Sequence, residues 1–305
     1  MSARDLDAAG ILDPQLRDSY ERCRVLNAQY GKTYYLATLL LPPNRRPYVH
    51  ALYGFARYAD EIVDDLASTL SPTEKADALR TWSSGVLADL KAGTSTDHIG
   101  RALVDTARTF NIPHQHFVDF LRSMEMDLTV STYANYEALS EYVYGSAAVI
   151  GLEMVPILGA LSDDAYESAK KLGIAFQLAN FIRDVGEDLD RGRIYLPLDE
   201  LAVHGVNEKM LYARVLTPEI IQALKFQIAR VRQLQAEAAP GIDLLHPTSR
   251  PCIRAASELY CGIVDEVEAI GYDIFNKRAK TSTARRLRVA GKAYIQALSA
   301  RRALD

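Results

Sequence analysis

The stretch Gln177–Pro197, QLANFIRDVGEDLDRGRIYLP, decides how the rest of this chain is read. An α-helix advances about 100° per residue, so residues three, four and seven or eight apart share a face. Gln177, Asn180, Asp184 and Asp188 fall at steps of three, four and four. Two amides and two carboxylates therefore line up along one side of a helix, while Leu178, Phe181, Ile182 and Val185 point elsewhere and can pack on neighbours. Such a line is costly to bury, because each carboxylate needs a cation or a proton. An all-oxygen donor set suits a hard divalent cation, Mg²⁺ ahead of Zn²⁺. Arg191 and Arg193 follow at once, and guanidinium groups suit an anion such as diphosphate. The plainer reading is a solvated helix face with i,i+4 ion pairs, for which Arg183 and Glu187 qualify.

The chain carries the pattern twice. In Tyr53–Asp65, YGFARYADEIVDD, the residues Tyr53, Arg57, Asp60 and Asp64 fall at steps of four, three and four. Two helices far apart in sequence thus each bear an acidic line with an arginine nearby. Facing each other across a bundle, they would enclose a cavity able to hold Mg²⁺ ions and, through them, diphosphate. Glu61 and Asp65 lie about 100° round the helix and read either as supporting groups or as solvated ones.

The pair ADEIVDD and NFIRDVGEDLDRGRIYLP resembles the two aspartate-rich motifs of the squalene/phytoene synthase family. The preceding segment, TYYLATLLLPPNRRPYVHALYGFARYADEIVDD, resembles the bacterial phytoene-forming branch, and the likeness runs from about residue 31 to 287. The resemblance implies a single all-α domain over residues 1–305, an isoprenoid synthase-type helical bundle with a central cavity. It implies head-to-head condensation of two geranylgeranyl diphosphates to phytoene through a cyclopropylcarbinyl diphosphate. Mg²⁺, with Mn²⁺ as a substitute, would be held by Asp60, Asp64, Asn180, Asp184 and Asp188. Arg57, Gln177, Arg183, Arg191, Arg193, Lys277 and Arg278 would assist at the diphosphate, with Thr33, Tyr34 and Tyr260 around the bound substrate and Tyr142 beside the cavity as a catalytic residue, either it or the released diphosphate taking the final proton. The plainer reading of Tyr34 and Tyr142 is core packing. Many members of that family carry Gly where this chain has Ala148, a departure that bears on pocket width. No NADPH is expected. The alternatives are a C30 enzyme making squalene, dehydrosqualene or presqualene diphosphate from farnesyl diphosphate and, remotely, a non-catalytic assembly factor of the same fold, which degraded aspartate motifs would mark.

Composition narrows the class. With 49% hydrophobic and 24% charged residues the chain reads as a soluble globular protein, and a net charge of −4 gives no field for nucleic acid. No apolar run suggests a membrane span, and the acidic N-terminus is not a signal peptide. Cys23, Cys252 and Cys261 are odd in number and lack metal spacing, which suggests reduced thiols and a cytoplasmic setting. His114 and His116 read as a surface turn. Between Lys277 and Arg302 lie nine Lys or Arg and no Asp or Glu. That segment reads as a solvated helix end or as a peripheral contact with anionic lipid at the inner membrane face.

Helical periodicity broken by Pro, Gly and Ser predicts helices at about 13–30, 31–41, 46–66, 72–90, 99–110, 114–129 and from 136 onward. Pro156 predicts a kink in the last of these. Further helices are predicted from Ser162 through the acidic line, at 207–213, 218–239, 252–276 and 283–302, with 1–12 flexible and 303–305 a tail.

Overall fold

A computed structural model describes residues 3–64 and 70–303, with the side chains of Asp64 and Pro72 outside the described set. The described chain is helical, with two isolated bridges and no strand among these residues. The helices are α1 (Ala3–Ala8), α2 (Pro14–Tyr30), α3 (Lys32–Thr38), α4 (Arg46–Asp64), α5 (Pro72–Ala92), α6 (His98–Phe110), α7 (His114–Thr129) and α8 (Tyr136–Val143). A π turn (Tyr144–Ala148) joins α8 to α9 (Val149–Leu158), and the long α10 (Asp164–Asp190) follows. Then come α11 (Leu198–Val203), α12 (Glu208–Tyr212), α13 (Pro218–Ala238), a 3₁₀ turn (Ala239–Leu244), α14 (Arg250–Cys261), α15 (Ile263–Ala269) and α16 (Thr283–Arg302).

Local chemistry sets many of these ends. Ser71 and Glu74 form a reciprocal capping box that starts α5. Asp13, Asp97, Asn135 and Thr217 each accept a backbone N–H at a helix start. Two clusters of buried side chains form the core, one mainly from α2, α4–α7 and α9, the other mainly from α8, α10, α13 and α15. Helix α10 packs on α9, α13, α14 and α15, which puts its acidic line in the middle of the molecule.

Several expectations need correcting. The N-terminal segment is not loose: Leu6 and Ile11 are buried, and Asp5 accepts Arg46 Nη1 at 3.0 Å. The helix expected at 252–276 is broken at Gly262, where the Arg285 guanidinium fills the space a Cβ would need. The irregularity expected at Pro156 falls earlier, at the π turn, while Pro156 sits inside α9. Glycine is required there: a Cβ on Gly145 would stand 2.2 Å from the Asp119 carbonyl oxygen of α7. His114 and His116 belong to the first turn of α7 rather than to a loop. Helical residues Tyr136–Leu158 reach the length and composition of a membrane span, though no span is expected from the sequence. The apolar window of that stretch is 61% buried, as in a core helix. Asp65 and the helix end expected near residue 66 lie outside the described residues.

Candidate active site

Helices α4 and α10 do face one another. Between them lies a polar cleft of about 370 Å³ lined by Arg57, Asp60, Asn180, Arg183, Asp184, Asp188, Arg191 and Arg193 among others. It continues into an outer cleft that adds Thr33, Tyr34, Tyr260 and Arg278. Behind it lies an apolar cavity of about 310 Å³, walled largely by α9, α10 and α14, with Ala147, Ile150, Met154, Leu172, Phe176 and Ile253 on its surface. Asn180 lines all three spaces, and Gln177 and Ser146 line both the polar cleft and the apolar cavity. One face of α10 therefore passes from carboxylates to an apolar wall. Ala148 is fully buried and absent from the cavity wall, so the departure from Gly there does not set the cavity's width.

The carboxylates are held by arginines. Arg57 Nη1 donates to Asp60 Oδ2 at 2.8 Å, and Arg57 Nε lies 4.0 Å from Glu61. Asp184 accepts Arg183 Nε at 2.7 Å and Arg278 Nε at 3.0 Å. Arg183 thus pairs with its neighbour Asp184 rather than with Glu187, which lies 3.2 Å from Arg278. Burial of Arg183 disfavours its charge, but the bonded Asp184 outweighs that and raises its pKa. Arg278 reaches the site because the chain at Ile274 lies directly on α10 at Gly186, where a Cβ would be 2.7 Å from the Ile274 carbonyl oxygen. Lys277 is not brought in: it is exposed, sits 3.5 Å from Asp273 and lines none of these clefts.

Asp188 is buried, and burial together with the charge of Asp184 pushes its carboxyl up to about 7. Asn180 Oδ1 is buried with no hydrogen-bond partner among the described residues. A buried oxygen acceptor and, about two turns along the same helix, a carboxylate that resists ionising make a face that a hard cation satisfies. Among the described residues no three His, Cys, Asp or Glu side chains gather closely enough to share one ion. Mg²⁺ needs only one or two protein carboxylates, with water and phosphate as its other ligands. The donor chemistry fits that ion.

The inner end of the polar cleft is aromatic. Tyr195 stacks on Phe181 at 4.1 Å between ring centres, and Tyr142 and Tyr133 lie 5.6 and 6.0 Å from Tyr195. Tyr142 Oη donates to Asp127 Oδ2 at 2.8 Å, and Tyr195 Oη donates to Asp127 Oδ1 at 2.9 Å. Burial, followed by the Asp127 charge, raises the pKa of both phenols. Nearer the mouth, Tyr260 stacks on Phe176 at 5.0 Å, and burial, with a smaller contribution from Cys252, pushes the Tyr34 phenol up to about 12. Sequence reasoning missed Asp127, Tyr133 and Tyr195. The one available signal was an Asp in the last turn of α7, where the helix dipole disfavours negative charge.

A family model described as squalene/phytoene synthase matches residues 27–285. The chain is 41% identical to a chloroplastic phytoene synthase of Narcissus pseudonarcissus, covering 93% of this chain and 67% of that protein. It is 39% identical to a chloroplastic phytoene synthase 2 of Solanum lycopersicum, covering 93% of this chain and 92% of that one. Among solved structures, a dehydrosqualene synthase in complex with a ligand aligns with a TM-score of 0.84 at 26% identity, covering 93% of this chain and 98% of that one. A squalene synthase from Alicyclobacillus acidocaldarius aligns at 0.79 and 26% identity, covering 87% and 98%.

Proposed function

We propose that this chain, which belongs to the squalene/phytoene synthase family, joins two geranylgeranyl diphosphate molecules head to head to form phytoene with release of diphosphate. The observation that carries the reading is the single face of α10 that lines both the arginine–carboxylate cleft and the apolar cavity. A substrate with an anionic head and a long apolar tail matches both parts. Relatives about 40% identical and named phytoene synthase support the C20 substrate and carotenoid biosynthesis. We take the whole chain as one catalytic domain, since α16 and α3, near opposite ends of the sequence, both pack on α14.

In this account Arg57, Arg183, Arg191, Arg193 and Arg278 bind diphosphate oxygens. Asp60, Asp64, Asn180, Asp184 and Asp188 would hold Mg²⁺, which supplies neutralisation of the charge that develops on the departing diphosphate. Leaving-group loss creates an allylic cation, which the double bond of the second substrate attacks. The resulting cyclopropylcarbinyl diphosphate ionises, rearranges and loses a proton. The apolar walls exclude water that would quench each cation, and the tyrosine faces stabilise positive charge. No reductant enters, because the sequence ends in proton loss rather than hydride addition.

A second reading is favoured by the structural likeness to dehydrosqualene and squalene synthases: a C30 product from farnesyl diphosphate. Purified protein given Mg²⁺ and either diphosphate, without NADPH, separates the two. A C40 hydrocarbon from the C20 substrate supports the proposal; a C30 product confined to the C15 substrate overturns it.

The setting we propose is cytoplasmic, with the outer face of α16 on an anionic lipid surface. Part of the basic cluster has other duties: Arg285 binds Asp265 and Glu266, and Arg301 donates to the Leu40 and Leu41 carbonyls. Leu287, Tyr294 and Ile295 are exposed on the same helix as the exposed Arg286, Lys292 and Arg302, the composition of an interfacial helix. Sedimentation with vesicles containing anionic lipid, and not with neutral ones, supports this; no binding to either ends it.

A further inference from the structure

Asp127 touches two spaces at once. It lines the polar cleft with Tyr142, Tyr195 and Asn180. It also lines a separate cleft on the other side, walled by Lys75, Thr129, Asp190 and Arg191, in which Thr129 and Asp190 are exposed. Asp127 therefore stands between the aromatic end of the active site and a cleft with exposed walls. Inside, each carboxylate oxygen takes one tyrosine hydroxyl, Tyr142 at 2.8 Å and Tyr195 at 2.9 Å. Arg193 braces the arrangement, donating to the Asp127 carbonyl oxygen at 2.8 Å and to Tyr195 Oη at 3.4 Å.

The two tyrosines are not equivalent. Tyr195 lies flat on Phe181, and its oxygen faces the Arg193 guanidinium, which lowers its basicity. Tyr142 lines the cleft, and its oxygen accepts no hydrogen bond from another described residue, so its lone pairs are available to the cleft. A phenol whose own proton is already committed to a carboxylate can accept a proton on one side while giving one up on the other.

Resting on the proposed phytoene-forming reaction, we infer that Asp127 is the positioning carboxylate of a proton relay that ends the reaction, with Tyr142 as its contact with substrate. In the last step the C–H bond at a carbon derived from C1 breaks, and its electron pair becomes the new central double bond. The proton goes to Tyr142 Oη, the original Tyr142 O–H bond breaks with its pair left on oxygen, and that proton passes to Asp127 Oδ2. A carbocation and a carboxylate become an alkene and a carboxylic acid, so charge balances, and Asp127 returns its proton through the solvent-facing cleft. A carbocation is acidic enough that a neutral phenol suffices. The raised pKa of Tyr142 agrees with this, since it keeps the phenol from resting as a phenolate.

The test is the partition of products per turnover, which does not depend on the overall rate. Wild type, Asp127→Asn, Asp127→Glu, Tyr142→Phe and the Asn/Phe double variant are given geranylgeranyl diphosphate, unlabelled and deuterated at C1. With Asp127→Asn the ratio of C40 hydrocarbon to cyclopropylcarbinyl diphosphate and water-derived alcohols should fall about 100-fold, the usual scale of a lost general base. C1 deuteration should lower it further than in wild type. Tyr142→Phe should match it, the double variant should be no worse than either, and Asp127→Glu should recover part of the ratio. If Asp127→Asn does not stay folded by thermal melting, Tyr142→Phe carries the test. A slower enzyme with the wild-type ratio and isotope sensitivity overturns the relay and leaves Asp127 a structural residue. A wild type that forms no C40 hydrocarbon removes the functional reading, and the relay with it.

Discussion

Glu153 offers a prediction whose size follows from its position. It lies in α9, fully buried, and neither carboxylate oxygen has a hydrogen-bond partner among the described residues. Burial raises its pKa well above the ordinary 4.5. Below pH 4.5 the folded and unfolded chains both carry the proton, and the site exacts no linkage penalty. Above it the unfolded chain releases the proton while the fold keeps it, so stability falls as pH rises. Each pH unit above 4.5 over which the fold alone keeps the proton costs about 1.4 kcal/mol, so the penalty is small at pH 5 and grows toward pH 7. Glu153→Met keeps the unbranched shape and removes both the proton and the unpaired oxygens. Equilibrium urea unfolding of wild type and variant at pH 7 and pH 5 measures the difference. The variant should be the more stable at both values, with its advantage shrinking by up to about 3 kcal/mol at the lower pH. An advantage that is absent, or the same at both values, refutes the reasoning; Glu153→Gln, polar but not titrating, separates charge from hydrogen bonding.

Three further outcomes are expected. His50 is buried, lies 2.9 Å from Asn27 Nδ2 and is held down to about 3, first by burial and then by Arg24. The unfolded chain therefore takes up a proton below pH 6.5 that the fold refuses, and wild type loses about 2 kcal/mol at this site between pH 7 and 5; His50→Gln should remove that loss in the same urea series. Asp184→Ala should lower turnover at least about 100-fold while the far-ultraviolet circular dichroism stays unchanged, and near-normal turnover would remove Asp184 from the site. Gly145→Ala puts a Cβ 2.1 Å from Ser123 Oγ and 2.2 Å from the Asp119 carbonyl oxygen, so it should cost about 2 kcal/mol in thermal stability and reduce activity by displacing Tyr142.

The two acidic lines were legible because helical periodicity alone places Asp60 with Arg57 and Asp184 with Asn180 and Asp188. That the lines would meet was legible only through their repetition and the family resemblance. The Asp127 cluster was not legible, since it joins residues as far as 68 apart that only the packing of α7 against the chain after α10 brings together. Lys277 and Arg278 are neighbours with the same charge, and sequence could not choose between them. The approach of Ile274 to Gly186 does, sending Arg278 to Asp184 and Lys277 to solvent. The π turn was hidden for a related reason: the demand for glycine at position 145 comes from a carbonyl on another helix. Helix α1 is too short to announce itself, and a partner 41 residues away, Arg46, fixes its Asp5.

The central claim is a bond between the two C1 carbons of identical C20 diphosphates. Incubating the protein and Mg²⁺ with geranylgeranyl diphosphate carrying ¹³C at C1, followed by ¹³C NMR of the extracted hydrocarbon, tests it directly. The account predicts a C40 hydrocarbon whose labelled carbons are adjacent and directly coupled across the new central double bond. A product with separated labels, or a labelled hydrocarbon of any other length, would contradict it.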